Sequence, residues 1–195
     1  MRAPAVTSAP KPALVVASVL SRDLSSTNAA IQAVAEKVGG LSYVSEALPF
    51  PWTSYYSGEL GESPVRRIIA LGRDGDSAGL ATLKRTTCRL EVALGRPGAP
   101  REVNIDPGVL NEHQLVVAST KPRAHRIHVG QGIFADLMLV ARGGGGLAPL
   151  PWTYPDYADD TVRTIFDGLR ALLLAGRRLD PDHAPDDRAS AEEAR

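Results

Sequence analysis

The stretch Ala13-Leu14-Val15-Val16-Ala17-Ser18-Val19-Leu20 is apolar at every position but one. A run this short, interrupted only by Ser18 and partly β-branched, reads as a strand buried on both faces at the centre of a sheet. Outward from it, Ser25 and Ser26 offer N-caps for a helix with Ala30, Ile31, Val34 and Val38 on one stripe, stopped by Gly39-Gly40. A second strand is expected near residues 41–47. The pattern then repeats: 65–71 reads as a strand, and Asp76-Ser77 as the cap of a helix whose Leu80, Leu83, Thr87, Leu90 and Leu94 recur every three or four residues. Residues 102–106 alternate, with Val103 and Ile105 on one face and Glu102, Asn104 and Asp106 on the other. A turn is expected at Asp106-Pro107-Gly108, since Pro presets φ and Gly accepts a positive one. Then come a strand at 114–118 and a hairpin of 126–129 with 133–140 around Gly130-Gln131-Gly132. A last helix is capped by Asp159 or Asp160, points Val162, Ile165, Phe166, Leu169, Leu172 and Leu173 inward, and ends at Gly176. This order predicts an α+β fold: a ferredoxin-like split β-α-β core with an appended antiparallel hairpin and a C-terminal helix.

At 195 residues one domain is expected, spanning 13–177, between disordered tails at 1–12 and 178–195. The 22 Lys and Arg balance the 22 Asp and Glu, so the chain lacks the basic excess that phosphate neutralisation favours in nucleic-acid binders. Cys88 is alone, which rules out an intrachain disulfide and a multi-cysteine zinc site; its helical position suggests a small buried hydrophobe. The apolar run at 13–20 is far short of the roughly 20 residues that span a bilayer, so a cytoplasmic protein with no membrane partner is expected. Nothing in the pattern assigns a cofactor or an oligomeric state.

Both tryptophans stand in the phrase Pro-x-Pro-Trp-Thr, at 49–53 and again at 149–153, followed by Tyr55, Tyr56, Tyr154 and Tyr157. Proline holds its neighbours extended, so wide rings are fixed at low entropic cost. These segments read either as a binding wall or as two loops closing over a core. Residues 118–126, from Ala118 to Arg126, bring hydroxyls, three cations and a histidine to the exit of a strand, the groups that phosphate or carboxylate requires. The alternative is a solvated loop. With Gln131 at the centre of the hairpin, Arg126 lies opposite Asp136 and His128 opposite Phe134, so an ion pair alone accounts for Arg126. His125 and His128, three apart on a strand, face opposite sides, which argues against a metal between them. His125 is then a hydrogen-bonded core residue or a general acid/base. Asp156 and Glu59 are loop carboxylates with no local capping role. The Gly143 to Gly146 run lacks the Lys-Ser/Thr of a P-loop, and no nucleophile elbow or dinucleotide fingerprint is present.

Several of these phrases together resemble the bacterial domain-of-unknown-function family 4416, over about residues 12–175. They are Pro49-Phe50-Pro51-Trp52-Thr53 with Tyr55-Tyr56, the stretch Val103 to Gly108, Leu115 to Lys121 with His125-Arg126-Ile127, Gly130 to Asp136, and Leu150 to Tyr157. The resemblance implies candidate positions at Asp106, Lys121, His125, Arg126, Asp136, Trp152 and Asp156, and supplies no reaction. Cys88 and His128 depart from its pattern. The expectation is a small anionic ligand, phosphorylated or nucleotide-like, held between the two Trp segments. Trp52, Tyr55, Asn104, Ser119, Lys121, Arg126, Trp152, Tyr154 and Asp156 would bind it, and Asp106 and His125 would move protons. A single-stranded nucleic-acid module and a protein-interaction adaptor are the alternatives.

Overall fold

The computed structural model describes residues 12–52, 57–72, 75, 77–143 and 145–178. Thr53, Tyr55, Tyr56, Asp76, and all of the expected tails 1–12 and 178–195 except residues 12 and 178 lie outside these residues.

The apolar run becomes β1 (Leu14–Ser21), flanked by β4 (Val65–Leu71) and β5 (Val103–Leu110), with antiparallel pairing on both sides. On the β4 side, β2 (Leu41–Val44) and β3 (Leu48–Pro49) both pair with β4, so the strand expected at 41–47 stops at Val44 and a second short strand follows beyond it. On the β5 side follow β6 (Gln114–Ser119), β8 (Phe134–Ala141) and β7 (Arg126–His128), and β9 (Leu147–Pro149) also joins β8. The helices are α1 (Leu24–Val38), α2 (Ser57–Leu60), α3 (Leu80–Leu94), α4 (Pro155–Ala158) and α5 (Asp160–Arg178). Among the described residues, one antiparallel sheet of nine strands with helices against it makes an α+β fold.

Alternation along β1 distributes the core between two layers. Leu14 and Val16 face α5, against Val162, Phe166, Leu169 and Leu173, while Ala17 and Val19 face Ile31 and Val34 of α1. Each fully buried side chain of this size contributes about 1.5–3 kcal/mol, so a strand buried on both faces anchors both layers. Leu90 and Leu94 bring α3 onto the α1 side. The hairpin register is as the sequence predicts, Arg126 opposite Asp136 and His128 opposite Phe134, with positive φ at Gly130, Gln131 and Gly132.

Several local expectations are corrected. Asp23, not Ser25 or Ser26, caps α1: its carboxylate accepts from the Ser26 N–H at 2.8 Å. Gly79 precedes α3 without a side-chain cap, after a 3₁₀ turn at Ser77–Gly79. Helix α5 runs past Gly176, and Leu172 is 63% exposed rather than inward. Cys88 is half-buried rather than buried, and burial raises its thiol pKa. The turn at Asp106-Pro107-Gly108 is absent: β5 passes straight through these residues. No helix of the described residues is long and apolar enough to cross a membrane.

Candidate functional site

Strands β5 and β6 pair only at Leu110, Val109 and Gly108, opposite Leu115, Val116 and Val117. The next residue, Pro107, has no N–H to continue the ladder, and β6 departs there. The peptide groups of Ile105, on the edge vacated by β6, are met instead by side chains of α3. Glu91 Oε1 accepts from the Ile105 N–H at 2.7 Å, while Lys84 Nζ and Thr87 Oγ1 donate to its carbonyl at 2.8 and 3.4 Å. Positions 84, 87 and 91 share one helix face, so three side chains stand in for a missing strand. Through the opening, Lys84 Nζ also donates to Asp106 Oδ1 at 2.9 Å, although Asp106 projects with Ser18 from the opposite sheet face.

On that face lies a cavity of about 650 Å³, floored by Ser18, Asn104, Asp106 and Ser119 and bordered by Phe50, Trp52 and the Tyr154–Tyr157 segment. At β5 the polar groups interlock. Asn104 Nδ2 donates to Asp106 Oδ2 at 2.6 Å, and Arg101 Nη1 donates to Asn104 Oδ1 at 2.7 Å and to Glu91 Oε2 at 3.4 Å. The Arg101 Nε and Nη2 both reach Glu59 Oε2, at 3.1 and 2.8 Å. Burial works against the charge on Asp106, but the Lys84 ammonium and the hydrogen bonds from Lys84 and Asn104 prevail and hold its carboxyl below the usual range. Burial likewise opposes the charge on Lys84, and Asp106 and Glu91 reverse this, so the ammonium keeps its proton beyond the ordinary lysine value.

Toward β7, Arg126 is almost wholly committed. Its Nε donates to Asp136 Oδ2 at 2.8 Å, its Nη1 to Ser119 Oγ and the Lys121 carbonyl, both at 2.8 Å, and its Nη2 to the Tyr154 hydroxyl at 2.5 Å. Arg126 thereby ties β6, β7, β8 and the second aromatic segment together. Ser119 Oγ accepts from Arg126 and from the Lys121 N–H, which leaves its own proton to donate elsewhere. Thr120, Lys121 and Arg123 complete this rim.

A third buried cation backs the wall between the aromatics. Arg66, 1% exposed, donates from Nε to Ser18 Oγ at 2.9 Å, pairs with Asp156 at 3.1 Å, and lies 4.6 Å from the centre of the Tyr157 ring and 5.6 Å from that of Phe50. Desolvation raises the Asp156 carboxyl despite the Arg66 charge, and burial raises the Tyr157 phenol.

Of the predicted site residues, Trp52, Asn104, Asp106, Ser119, Lys121, Arg126, Tyr154 and Asp156 border this cavity; Tyr55 is outside the described residues. His125 and Trp152 do not border it. They stack on each other, centroids 5.4 Å apart and planes 14° from parallel, with His125 Nε2 3.6 Å from Asp136 Oδ1 behind the Arg126 pair. Trp152 Nε1 donates to the Leu137 carbonyl and Thr153 Oγ1 to the Met138 carbonyl, so the second Pro-x-Pro-Trp-Thr phrase clamps onto β8. The two phrases, which differ only in Phe50 against Leu150, therefore do different work. Sequence reasoning missed Lys84, Glu91, Arg101 and Arg66. Arg66 was legible in principle, because alternation puts it on the face of Ile68 and Ala70. The 84, 87, 91 spacing is also an inward stripe once polar residues are admitted to it. Among the described residues no cluster of His, Cys, Asp or Glu is arranged to hold a metal.

No curated protein matches the sequence. The model of the domain of unknown function DUF4416 matches residues 11–172, nearly all of the described chain, and the protein belongs to that family.

Proposed function

We propose that this cavity binds a small molecule with an anionic group, seated against Ser119, Thr120, Lys121 and Arg123, and a flat or apolar portion against Trp52 and Tyr154. The observation that carries the reading is the meeting of these hydroxyls and cations with aromatic rings around one hollow of about 650 Å³, a size suited to a small metabolite. In this reading Arg126, one of the ligand contacts expected from the sequence, acts chiefly by fixing Ser119 and Tyr154 in place. His125, held outside the cavity on Trp152, has no part in this reading as a proton carrier.

A thermal-shift screen of phosphate esters tests it. Ligand at a hundredfold over Kd adds about 2.7 kcal/mol, which raises Tm by roughly 5–10 °C for a chain of this size. The double variant Lys121→Ala, Arg123→Ala should lose that shift. No stabilisation by inorganic phosphate, sugar phosphates or nucleotides at millimolar concentration would overturn the proposal.

A further inference from the structure

Deepening that reading and resting on it, we infer that the non-anionic part of the ligand is polyhydroxylated, and that Asp106, Lys84 and Asn104 form the hydroxyl-binding half of the cavity. Formal charge divides unevenly around the hollow. Among its lining groups at the β6–β7 end stand Arg126, Lys121 and Arg123 against Asp136, an excess of positive charge. At the β5 end Lys84 and Arg101 line the hollow with Glu59 and Asp106, and the buried Glu91 behind them lies 3.7 Å from Lys84 and 3.4 Å from Arg101, so there is no excess of positive charge. A second anion has no electrostatic reason to settle at β5. An ammonium group has none either, because each carboxylate there already has a protein cation beside it: Asp106 has Lys84 at 2.9 Å, Glu59 has Arg101 at 2.8 Å, and the adjoining Asp156 has Arg66 at 3.1 Å.

What remains is a dense alternation of acceptors and donors whose charges are already paired within the protein, which suits groups that both donate and accept, and a hydroxyl is the simplest of these. Asp106 has an oriented carboxylate: one oxygen is held by Lys84, the other by Asn104, and its side chain is still 31% exposed. Spare lone pairs on both oxygens can accept from ligand hydroxyls, and the charge makes those bonds stronger than neutral ones. Asn104 retains a further N–H beyond the bond described, while Lys84, with Glu91 Oε1 also 3.7 Å from its nitrogen, serves to hold the Asp106 carboxylate in place. Trp52 and Phe50 add faces for the C–H side of a sugar. Asp106 and Ser119 would be cross-strand neighbours if β5 and β6 stayed paired, and the divergence at Pro107 widens that gap beyond the roughly 5.5 Å of paired strands. A pentose phosphate spans such a gap.

Calorimetric titration with methyl phosphate, glycerol 3-phosphate and ribose 5-phosphate tests this, since the three share the anion and differ in hydroxyls. Affinity should rise along the series, with ribose 5-phosphate binding at least about tenfold tighter than methyl phosphate, the effect of one good charge-assisted hydrogen bond. In Asp106→Asn that ratio should fall toward one. The ligand series on the wild-type chain decides the matter even if this variant folds poorly. Equal affinities for all three would overturn the hydroxyl subsite and leave the anion-binding reading standing. Binding of none of them, nor of any other phosphate ester, would remove both.

Discussion

Lys84 and Asp106 show how single residues at this site respond to pH. Asp106 sits below the ordinary carboxylate value of 3.8: burial pushes its pKa up, and the Lys84 ammonium and two donated hydrogen bonds pull it down further. Its ionised form therefore stabilises the fold at neutral pH, and that contribution fades as pH drops from about 4 through the folded-state value. Asp156 has the opposite sign. Desolvation outweighs the pull of Arg66 and raises its carboxyl above 3.8, so its charge costs stability at neutral pH and acidification relieves the cost. Asp106→Asn should accordingly flatten the loss of stability on acidification, and Asp156→Asn should steepen it. Urea midpoints measured from neutral pH down to about 3 check both signs. Parallel curves for the two variants would mean that these environments are not the ones described. Little of this was legible in the sequence, because Lys84 lies in a helix repeat whose apolar members looked sufficient to define the inward face. What turns Lys84 and Glu91 inward is the unsatisfied peptide of Ile105, and a peptide left without a partner is invisible until the strands are placed.

At the scale of elements, β5 carries the most consequential misreading. Asp-Pro-Gly is a sound turn sequence by local preference, yet pairing with β1 along all eight residues of β5 keeps it extended. Proline is tolerated because its missing N–H falls where β6 has already left. Gly108 is required for a different reason: a Cβ there would lie 2.6 Å from the Val116 carbonyl oxygen, a backbone atom with no freedom to swing aside. Gly108→Ala should thus cost about 1–3 kcal/mol, as overpacking does, read as a lower urea midpoint with unchanged slope. A cost within about 0.5 kcal/mol would show that β5 and β6 part freely. The strongly periodic elements were the legible ones. The apolar run of β1, the α5 stripe of Val162, Phe166, Leu169 and Leu173, and the register of the β7–β8 hairpin all follow from period and turn chemistry. Leu172 was misassigned because period alone cannot say how wide a stripe the sheet covers. Caps misled as well, since Asp23 precedes two serines that suit the role equally on sequence grounds.

Across the whole molecule, sheet order decides which distant segments meet. The first Pro-x-Pro-Trp-Thr phrase leaves β3 beside β4, and the second leaves β9 beside β8, so they approach the central strands from opposite sides. Two phrases of one pattern then receive unlike surroundings. Trp52 is 47% exposed and borders the cavity, whereas Trp152 is stacked on His125 and hydrogen-bonded to β8 away from it. The sequence marked both as equals because residue type and spacing are all it offers; the asymmetry comes from strand order. That asymmetry makes the two indoles separate reporters. In Trp152→Phe, emission comes from Trp52 alone, and saturating ribose 5-phosphate should change its intensity or wavelength as the ligand displaces water from the ring. In Trp52→Phe, emission comes from Trp152 alone, 39% exposed but stacked on His125 outside the cavity, and should stay within error on the same titration. A signal carried by Trp152 and absent from Trp52 would locate the ligand on the His125 face of the sheet edge, and the cavity over β1, β5 and β6 would lose its claim.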